Sequence, residues 1–375
     1  MRIAIDAHSV GTGLGGNESY ATNLVEALAE IDQKNQYTIY VTKREALERF
    51  KDRWPNFRVR STLPHTPFIR IPLTLSSELR RNPVDVLHVQ FTSPPVAPCP
   101  VVVSIHDLSF EHLPLTFKRR SRMQLRMTVR RSARQAAQVL TLSEFVRDDV
   151  VATYGIDAER VAVVPLAAPA HFSPVQEEKE LRRVRQKYGI NQNYILSVGA
   201  IQPRKNLPRL LEAYALLRRS QPEVNLPKLV LVGKCAWLYD ETLRKIEELG
   251  LGNQVTLTGY VPEADLPALY SGANCFIYPS YFEGFGLPPL EAMKCGVPVI
   301  VGNRTSLPEV VDDAAILVDP FEVGDIAAGI SKVINDSKLR SSLRSKGLAR
   351  AKVFDWRETA RKTLAVYEKA AGQRR

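Results

Sequence analysis

The sequence predicts an α/β protein with two Rossmann-like domains, each built on a parallel sheet. Short apolar strands alternate with helices along the whole chain, which is the pattern of βαβ units. A Pro- and Ala-rich stretch near the middle turns acidic at residues 176–180, and the strand–helix pattern restarts after it. The length of 375 residues suits about two domains. We therefore expect two similar α/β halves that face each other.

The first half contains several short apolar runs that predict strands. These runs cover residues 3–7, 37–42, 84–89, 101–105, 138–142 and 161–164. A helix is predicted at 17–31 because Tyr20, Leu24 and Leu28 recur at helical spacing on one face. A second long helix is predicted at 118–137.

The second half repeats this pattern. Its predicted strands cover residues 194–198, 228–232, 255–258, 275–278 and 298–301. The expected division of the chain is a first domain at 1–170, a linker at 171–190, a second domain at 191–355 and a final helix at 356–375.

The composition restricts the partners of the protein without choosing among them. A formal charge of +11 predicts attraction to polyanions, which include nucleic acid, anionic membranes and phosphorylated substrates. The first residues indicate a strand and not a signal peptide, and no apolar run approaches the roughly 20 residues that span a bilayer. The 4 cysteines lack CxxC spacing, which argues against a zinc site. A cytoplasmic location is expected.

Two glutamates, Glu283 and Glu291, frame the most informative stretch of the chain. The first follows a predicted strand, and the second is expected in the first turn of the next helix. Ligands of open α/β sheets bind at this edge, and a Gly-rich loop before a helix favours anions. Carboxylates beside an anion site suit a nucleotide sugar, which carries both phosphates and hydroxyls. The alternative is a helix-capping glutamate and a separate surface glutamate.

This stretch resembles the EX7E motif of retaining glycosyltransferases of family 4, including the glycines and prolines between the two acids. The resemblance covers nearly the whole chain and implies the GT-B fold, with the nucleotide sugar in a cleft between the two domains. It implies that Glu283 contacts the donor sugar and Glu291 the nucleotide ribose. It also implies that the loop between them belongs to the donor site, through Gly284, Phe285, Gly286 and Leu287.

A pair of cations, Arg204 and Lys205, follows the first strand of the second half and precedes a helix. Two cations there can hold a diphosphate and offset the charge that develops as it leaves. The pair is similar to the Arg-Lys pair that family 4 enzymes place on the donor diphosphate. The alternative is an ordinary basic helix start, although cations at a helix N-terminus are unfavourable without an anion.

Glycines after the first strand form a second candidate loop, at residues 11–16. The loop imitates a dinucleotide fingerprint, but its spacing is irregular, and the second strand is followed by Lys43 and Arg44 where an acidic residue is expected. The family resemblance instead brings Gly15 and Gly16 close to the donor phosphates and the acceptor. By the same resemblance, Gly233 and Val261 lie near the nucleotide.

The first half also offers candidate polar residues at strand ends. His106 follows a predicted strand, and family 4 enzymes often have a histidine here in contact with the donor sugar; the alternative is a structural histidine. Asp107 either orients this imidazole or caps the next segment. Ser143 is better explained as a helix N-cap than as a cleft residue. The role of His8 stays open.

A basic stripe lies along the helix predicted at 118–137. Its arginines recur at spacings of three and four, and they include Arg119, Arg122, Arg126 and Arg130. The stripe suits anionic lipid head groups or a lipid-diphosphate acceptor. The alternative is a solvated helix face. No nucleic-acid recognition motif accompanies the charge, so no nucleic-acid partner is expected.

The resulting interpretation is a retaining glycosyltransferase. It moves a hexose from a nucleotide-diphosphate sugar to a saccharide or lipid-linked acceptor, and bacterial mannosyltransferases suggest GDP-mannose as donor. His106, Arg204, Lys205 and Glu283 form the expected catalytic set. The chain contains no Asp-x-Asp triplet, so neither an essential metal nor a cofactor is expected.

Several alternatives and details stay open. A nicotinamide-dependent oxidoreductase and a non-catalytic polyanion-binding protein are the competing functions. Peripheral contact with the inner membrane face through the basic stripe stays an open alternative. The resemblance implies that the final helix crosses back to the first domain, and the alternative is a helix packed on its own domain.

Overall fold

A computed structural model of the protein describes residues 1–13, 15–190, 193–221 and 226–373. The chain forms two compact units. Unit 1 comprises Met1–Leu166 and Asp355–Arg375, and unit 2 comprises Ala167–Phe354. Each unit is organised around one sheet.

The strands have the following bounds in chain order: β1 Arg2–Asp6, β2 Gln36–Val41, β3 Phe57–Ser61, β4 Val86–Gln90, β5 Val101–Ile105, β6 Gln138–Thr141, β7 Val161–Val163, β8 Tyr194–Val198, β9 Lys228–Val232, β10 Val255–Gly259, β11 Cys275–Tyr278, β12 Val299–Gly302 and β13 Ala315–Val318.

The helices have the following bounds in chain order: α1 Gly16–Ile31, α2 Arg44–Phe50, α3 Pro67–Ile69, α4 Ser76–Arg81, α5 Ser109–His112, α6 Arg119–Gln135, α7 Glu144–Tyr154, α8 Glu178–Lys187, α9 Leu207–Ser220, α10 Asp240–Glu248, α11 Leu266–Ser271, α12 Leu287–Lys294, α13 Leu307–Val311, α14 Val323–Asn335, α15 Ser337–Ala351 and α16 Trp356–Gly372. A π-helical turn, Arg70–Leu75, joins α3 to α4.

Unit 1 contains a parallel sheet with the strand order β3-β2-β1-β4-β5-β6-β7. The order reverses between β1 and β4, and ligands of doubly wound sheets bind at such a switch point. The edge strand β3 was not predicted. It alternates Phe57 and Val59 with arginines and is largely accessible, so it lacks the continuous apolar run of a central strand.

The last helix, α16, packs against α1 in unit 1. Its N-cap is Asp355, whose carboxylate accepts from the backbone N–H of Arg357. Buried Tyr367 reaches His88 in β4, where the hydroxyl lies 2.6 Å from Nδ1. The helix therefore contributes to the core of unit 1.

Unit 2 repeats the same topology, with the parallel order β10-β9-β8-β11-β12-β13. Its switch point lies between β8 and β11. The edge strand β13 was also not predicted. Together the two sheets confirm the prediction of two parallel-sheet Rossmann-like domains.

The stretch expected as a linker, 171–190, contains the helix α8 and belongs to unit 2. Buried Asp265 holds the helix, since it accepts from Arg183 at 2.7 Å and from Lys187 at 2.6 Å. The acidic composition that suggested a linker instead supplies ion pairs along α8, such as that between Glu180 and Arg183.

Within the described part of the chain, none of the helices has both the length and the apolar composition that crossing a membrane requires.

Candidate active site

Three charged side chains meet at the switch point of the unit 2 sheet. Arg204 and Lys205 lie in a short 3-10 turn between β8 and α9, and Glu283 follows β11. The Nζ atom of Lys205 is 2.7 Å from Oε1 of Glu283, and Nη1 of Arg204 is 2.9 Å from Oε2. The structure thus brings together the Arg-Lys pair and the first glutamate of the EX7E motif.

The charges in this cluster stabilise one another. Burial opposes the ionisation of Glu283, but the nearby Arg204 and Lys205 outweigh it and hold its pKa below the ordinary value. Glu283 is therefore an ionised carboxylate that bridges two cations. The three side chains together carry a net charge of +1, which suits an anionic ligand.

The loops that carry these charges are fixed by side chains that the sequence did not single out. Asn206 caps α9 in the left-handed conformation, with φ 59°, and its amide donates to the carbonyl oxygens of Pro279 and Pro320. The hydroxyl of Thr305 accepts from the Glu283 backbone N–H at 3.0 Å, and Ser306 lies 2.8 Å from the Glu283 carbonyl oxygen. Hydroxyl and amide residues after strand ends would have been the signal for these contacts.

Gly233 lies where the ends of β8 and β9 approach closely. Its φ is 148°, and a Cβ atom there would lie 2.0 Å from the carbonyl oxygen of Gly199, so this position requires glycine. A small pocket beside this contact is lined by Gly199, Lys205 and Tyr278, among others. The ammonium of Lys205 donates to the Tyr278 hydroxyl. Gly233 therefore shapes the backbone next to the cation pair.

Glu291 lies in a different environment from Glu283. Because α12 begins at Leu287, Glu291 is one turn into the helix and not in its first turn, which corrects the expectation from the sequence. The Tyr270 hydroxyl donates to Oε2 of Glu291 at 2.9 Å. Burial raises the pKa of Glu291 to about 7 despite this hydrogen bond. The carboxyl is thus poised between its neutral and ionised forms near neutral pH.

The rest of the predicted donor loop is packed into unit 2. Gly284 is buried, and Phe285 packs edge-on against Phe354, with ring centroids 5.5 Å apart. Gly286 precedes α12 with φ 113°, and a Cβ atom there would lie 2.8 Å from a methyl group of Leu307. Leu287 begins the helix. The loop that separates the two glutamates is therefore held by packing within unit 2.

Val261, the predicted base-proximal residue, is buried just after β10. Its neighbour Tyr260 is exposed, and the Nζ atom of Lys234 lies 4.6 Å from the centre of the Tyr260 ring. An exposed aromatic face and a cation thus adjoin the predicted base position.

In unit 1, buried His106 follows β5, as predicted from the sequence. Its Nδ1 atom is 2.9 Å from Oδ1 of Asn17, so the Nδ1–H tautomer donates to the amide oxygen. The Nε2 atom has no hydrogen-bond partner among the described residues. Burial lowers the pKa of His106 to about 4. His106 is therefore a neutral imidazole whose Nε2 can accept a hydrogen bond.

The aromatic residues around His106 restrict its ring. Tyr20 and Phe91 pack edge-on against it, with centroid distances of 4.6 and 5.1 Å. Asp107 does not serve as the orienting partner: its Oδ1 atom accepts from the backbone N–H and the hydroxyl of Ser109, at 2.9 and 2.6 Å. Asn17 orients the imidazole instead, and no sequence pattern predicted this contact.

The glycine loop of unit 1 is hydrogen-bonded to a carboxylate from the start of α1. The carboxylate of Glu18 accepts from the backbone N–H of Gly11 at 2.8 Å and of Gly13 at 2.7 Å. Gly15 and Gly16 are exposed at the start of α1, while Leu14 lies outside the described residues. The amides of Gly11 and Gly13 are thus occupied by Glu18.

Two further predictions from unit 1 are resolved differently. Ser143 caps α7, since its hydroxyl accepts from the backbone N–H of Val146 at 3.2 Å, which confirms the N-cap interpretation. The basic stripe on α6 is only partly directed outward. Arg122 donates to the Phe110 carbonyl oxygen, and Arg126 pairs with Glu111 at 2.6 Å.

Among residues 1–13, 15–190, 193–221 and 226–373, His, Cys, Asp and Glu side chains form no cluster of three or more that could hold a metal ion.

Comparisons with known proteins identify both halves of the chain. Residues 14–170 match the model of Glycosyltransferase Family 4, and residues 180–350 match that of Glycosyl transferases group 1. O-antigen chain mannosyltransferase B of Escherichia coli is 37% identical over 268 residues, which cover 71% of this chain and 70% of that protein.

A second relative matches over a smaller part of its length. Serotype-specific mannosyltransferase WbdA of Escherichia coli is 32% identical over 228 residues, which cover 60% of this chain but only 28% of that protein.

The fold also has close counterparts among solved structures. Sucrose-phosphate synthase from Thermosynechococcus elongatus superposes with a TM-score of 0.76 at 20% identity, covering 98% of each chain. This likeness confirms the predicted GT-B fold, and the family matches confirm that the protein is a glycosyltransferase. The chain belongs to the family 4 glycosyltransferases, with a family 4 domain followed by a group 1 domain.

Proposed function

We propose that this glycosyltransferase transfers mannose from GDP-mannose to a hydroxyl of a saccharide or lipid-linked acceptor, with retention of the anomeric configuration. The observation that carries the proposal is the contact of Arg204 and Lys205 with Glu283 at the switch point of the unit 2 sheet. The mannosyl assignment is supported by relatives whose names are mannosyltransferases.

In unit 2, Arg204 and Lys205 hold the donor diphosphate. Both cations are paired with Glu283 in the structure, so they are already oriented before a phosphate binds. Preorganised donors of this kind stabilise the charge that develops on the leaving diphosphate. Glu283 contacts hydroxyls of the donor sugar, and Glu291 contacts the ribose.

The acceptor hydroxyl attacks on the face from which the diphosphate departs. The departing phosphate oxygen takes the proton of this hydroxyl, and Arg204 and Lys205 stabilise the diphosphate. No Asp-x-Asp triplet is present to bridge a metal to the diphosphate, so the transfer proceeds without an essential metal.

In unit 1, His106 binds a sugar hydroxyl through Nε2. A neutral imidazole with Nδ1–H committed to Asn17 can accept from a hydroxyl at the other nitrogen. A pKa of about 4 keeps it neutral at physiological pH. His106 is therefore a hydrogen-bond acceptor and not a general acid.

We also propose peripheral contact with anionic membranes through α6. The exposed face of this helix carries Arg119, Arg126 and Arg130 together with Met123 and Met127. Cations around exposed apolar side chains suit the interface of an anionic bilayer. Arg122, included in the original stripe, instead bonds to the Phe110 carbonyl oxygen.

Thermal-shift binding tests the donor assignment. The protein is heated with UDP-, GDP-, ADP- and TDP-sugars and with NAD(H), and the measurement is repeated with Arg204→Ala. We expect stabilisation by GDP-mannose that Arg204→Ala weakens and that Arg219→Ala, an exposed control on α9, leaves unchanged. Stabilisation by a different nucleotide sugar would identify that sugar as the donor in place of GDP-mannose. A shift with NAD(H) alone would contradict nucleotide-sugar binding.

Product analysis tests the stereochemistry and the metal requirement. The anomeric configuration of the product is determined by NMR with GDP-α-mannose as donor, with and without EDTA. We expect an α-linked product and an unchanged rate in EDTA. A β-linked product would contradict retention, and loss of activity in EDTA that added Mg²⁺ restores would contradict metal independence.

A further inference from the structure

A second charged cluster lies at the carboxyl edge of the unit 1 sheet, after β1, β2 and β3. Its centre is the fully buried pair of Asp6, the last residue of β1, and Arg70. The Nη1 atom of Arg70 is 2.8 and 2.9 Å from the two carboxylate oxygens. His106 follows β5, two strands away from β1, which corresponds to about 10 Å in the sheet. His106 is therefore not a member of this cluster.

Two accessible histidines border this pair. The Nδ1 atom of His8 lies 3.3 Å from Oδ2 of Asp6, and Nδ1 of His65 lies 2.7 Å from the Thr42 hydroxyl just after β2. The two imidazole centroids are 6.4 Å apart. At this separation the two rings can both donate to one phosphate oxygen, with hydrogen bonds of about 2.8 Å from each ring.

The charge around these histidines favours an anion. Burial lowers the pKa of His65, and the neighbouring His8, Lys43 and Arg70 lower it further. Lys43 and Arg70 supply two positive charges, against the single carboxylate of Asp6. The cluster thus has an excess of positive charge at an edge where parallel sheets bind ligands.

The buried guanidinium is incompletely satisfied. Within the described part of the chain, Nε and Nη2 of Arg70 have no hydrogen-bond partner. Buried N–H groups without partners are costly, which makes this position unusual. The residue also begins a π-helical turn, a feature that is frequent at functional sites.

Exposed apolar side chains surround the same segment. Leu63 is 60% exposed, Phe68 69% and Leu73 64%, and the Thr74 hydroxyl donates to the Leu63 carbonyl oxygen at 2.9 Å. An apolar surface beside a cationic edge matches a ligand with a phosphate head and a hydrocarbon chain.

We propose that His8 and His65, supported by the Asp6–Arg70 pair, bind the phosphate of a lipid-borne acceptor, and that Leu63, Phe68 and Leu73 contact its hydrocarbon chain. The proposal rests on the proposed glycosyl transfer and specifies its acceptor as a lipid phosphate. His8 and His65 supply imidazole N–H donors to the phosphate oxygens. Arg70 stays buried and holds Asp6 against His8.

Binding of decyl phosphate below its micelle concentration tests this site by calorimetry, with inorganic phosphate and decanol as the partial ligands. We expect decyl phosphate to bind at least tenfold more tightly than either. His8→Gln with His65→Gln should weaken decyl phosphate about tenfold, while His171→Gln, an exposed histidine of unit 2, should leave it unchanged. Phe68→Ser with Leu73→Ser should reduce its affinity to that of inorganic phosphate.

Several outcomes would overturn the site. The site would be refuted if His8→Gln with His65→Gln left the affinity for decyl phosphate unchanged. It would also be refuted if Arg204→Ala in unit 2 lowered that affinity. Equal binding of inorganic phosphate and decyl phosphate would identify a soluble phosphate ligand and refute the lipid source. Unfolding curves identify variants that fail to fold. Because the assay requires no transfer, lost GDP-mannose turnover with intact decyl phosphate binding would contradict only the proposed function.

Discussion

Glu283 in unit 2 and His106 in unit 1 lie at the carboxyl edges of two similarly ordered sheets, but their surroundings differ in charge. In unit 2, Arg204, Lys205 and Glu283 are in direct contact, and the cations keep the carboxylate ionised. In unit 1, burial keeps His106 and His88 neutral, with pKa values of about 4 and 3. The same topology therefore supports an ionised carboxylate where opposite charges are in contact, as at Glu283, and a neutral imidazole where burial dominates, as at His106.

The largest effect is expected from Lys205→Met, which removes one cation from the unit 2 edge. Loss of a preorganised charge that stabilises a leaving group lowers kcat by a factor on the order of 10²–10³. Turnover at saturating donor measures the loss. The control is Lys346→Met, which removes an exposed lysine paired with Asp313. Similar turnover in Lys205→Met and Lys346→Met would show that Lys205 contributes no more to the reaction than an exposed surface lysine.

The next effect concerns Glu291, a carboxyl of unit 2 that lacks the cations of Glu283. Burial raises its pKa from 4.5 to about 7, so the folded state holds a proton that the unfolded state releases. Stability therefore falls as pH rises through this window, by roughly 2–3 kcal/mol between pH 5 and pH 8. Glu291→Gln should remove this fall.

Urea unfolding at the two pH values checks the prediction for Glu291. The variant should match the wild-type protein near pH 5 and exceed its stability near pH 8, while its affinity for the donor decreases. Glu241→Gln, an exposed glutamate in the first turn of α10, serves as control. A parallel pH dependence in wild type and Glu291→Gln would show that Glu291 is ionised at neutral pH.

A smaller effect is expected when a carboxylate is introduced beside the neutral imidazole of His106. Asn17→Asp places a carboxylate against Nδ1 of His106, which stabilises the imidazolium and raises the pKa of His106. Below the new pKa, Nε2 carries a proton and no longer accepts from a sugar hydroxyl, so we expect activity at pH 6 to fall by roughly tenfold. Titration of the His106 ring by NMR follows the change.

The matched control for this change is Asn23→Asp on the same helix, since the Asn23 amide bonds only locally to Ser19. Asn23→Asp should leave the pH dependence of activity unchanged. An unchanged His106 titration in Asn17→Asp would show that Asn17 does not set its protonation.

The smallest effect is expected at exposed arginines on two helices, α6 in unit 1 and α9 in unit 2. Arg130→Gln on α6 should weaken partitioning to vesicles containing anionic phosphatidylserine by a factor of about five, since one basic residue near such a surface contributes about 1 kcal/mol. Arg219→Gln on α9 of unit 2 should have no effect. Equal losses would indicate general electrostatic attraction and not contact through α6.

Local sequence patterns predicted most of the architecture. Both strands that escaped prediction, β3 and β13, are edge strands. Arginines interrupt the apolar run of β3, whereas β13 is a short continuous apolar run that should have been predicted. The expected linker was wrong at α8, since an acidic run can equally supply ion pairs on a helix surface. The start of α12 was also misplaced: Pro288 and Pro289 lie in its first turn, where proline is compatible with a helix.

The candidate site shows a similar division. Arg204, Lys205 and Glu283 were expected together because they follow strands whose carboxyl ends share one edge of a parallel sheet. The partners of the other polar groups were not predictable. Asn17 meets His106 across 89 positions of sequence, and Tyr270 meets Glu291 through packing between helices. Such contacts depend on side-chain placement that no local pattern encodes.

By itself, the sequence determined the strand–helix alternation, the two-domain α/β class and the position of polar residues at strand ends. These features follow from periodicity and turn chemistry, which act over a few residues. Only the tertiary structure decided which carboxyl is ionised and which is poised near neutrality, since Glu283 and Glu291 belong to one motif. The physical reason is that a pKa depends on burial and on charges brought close by folding.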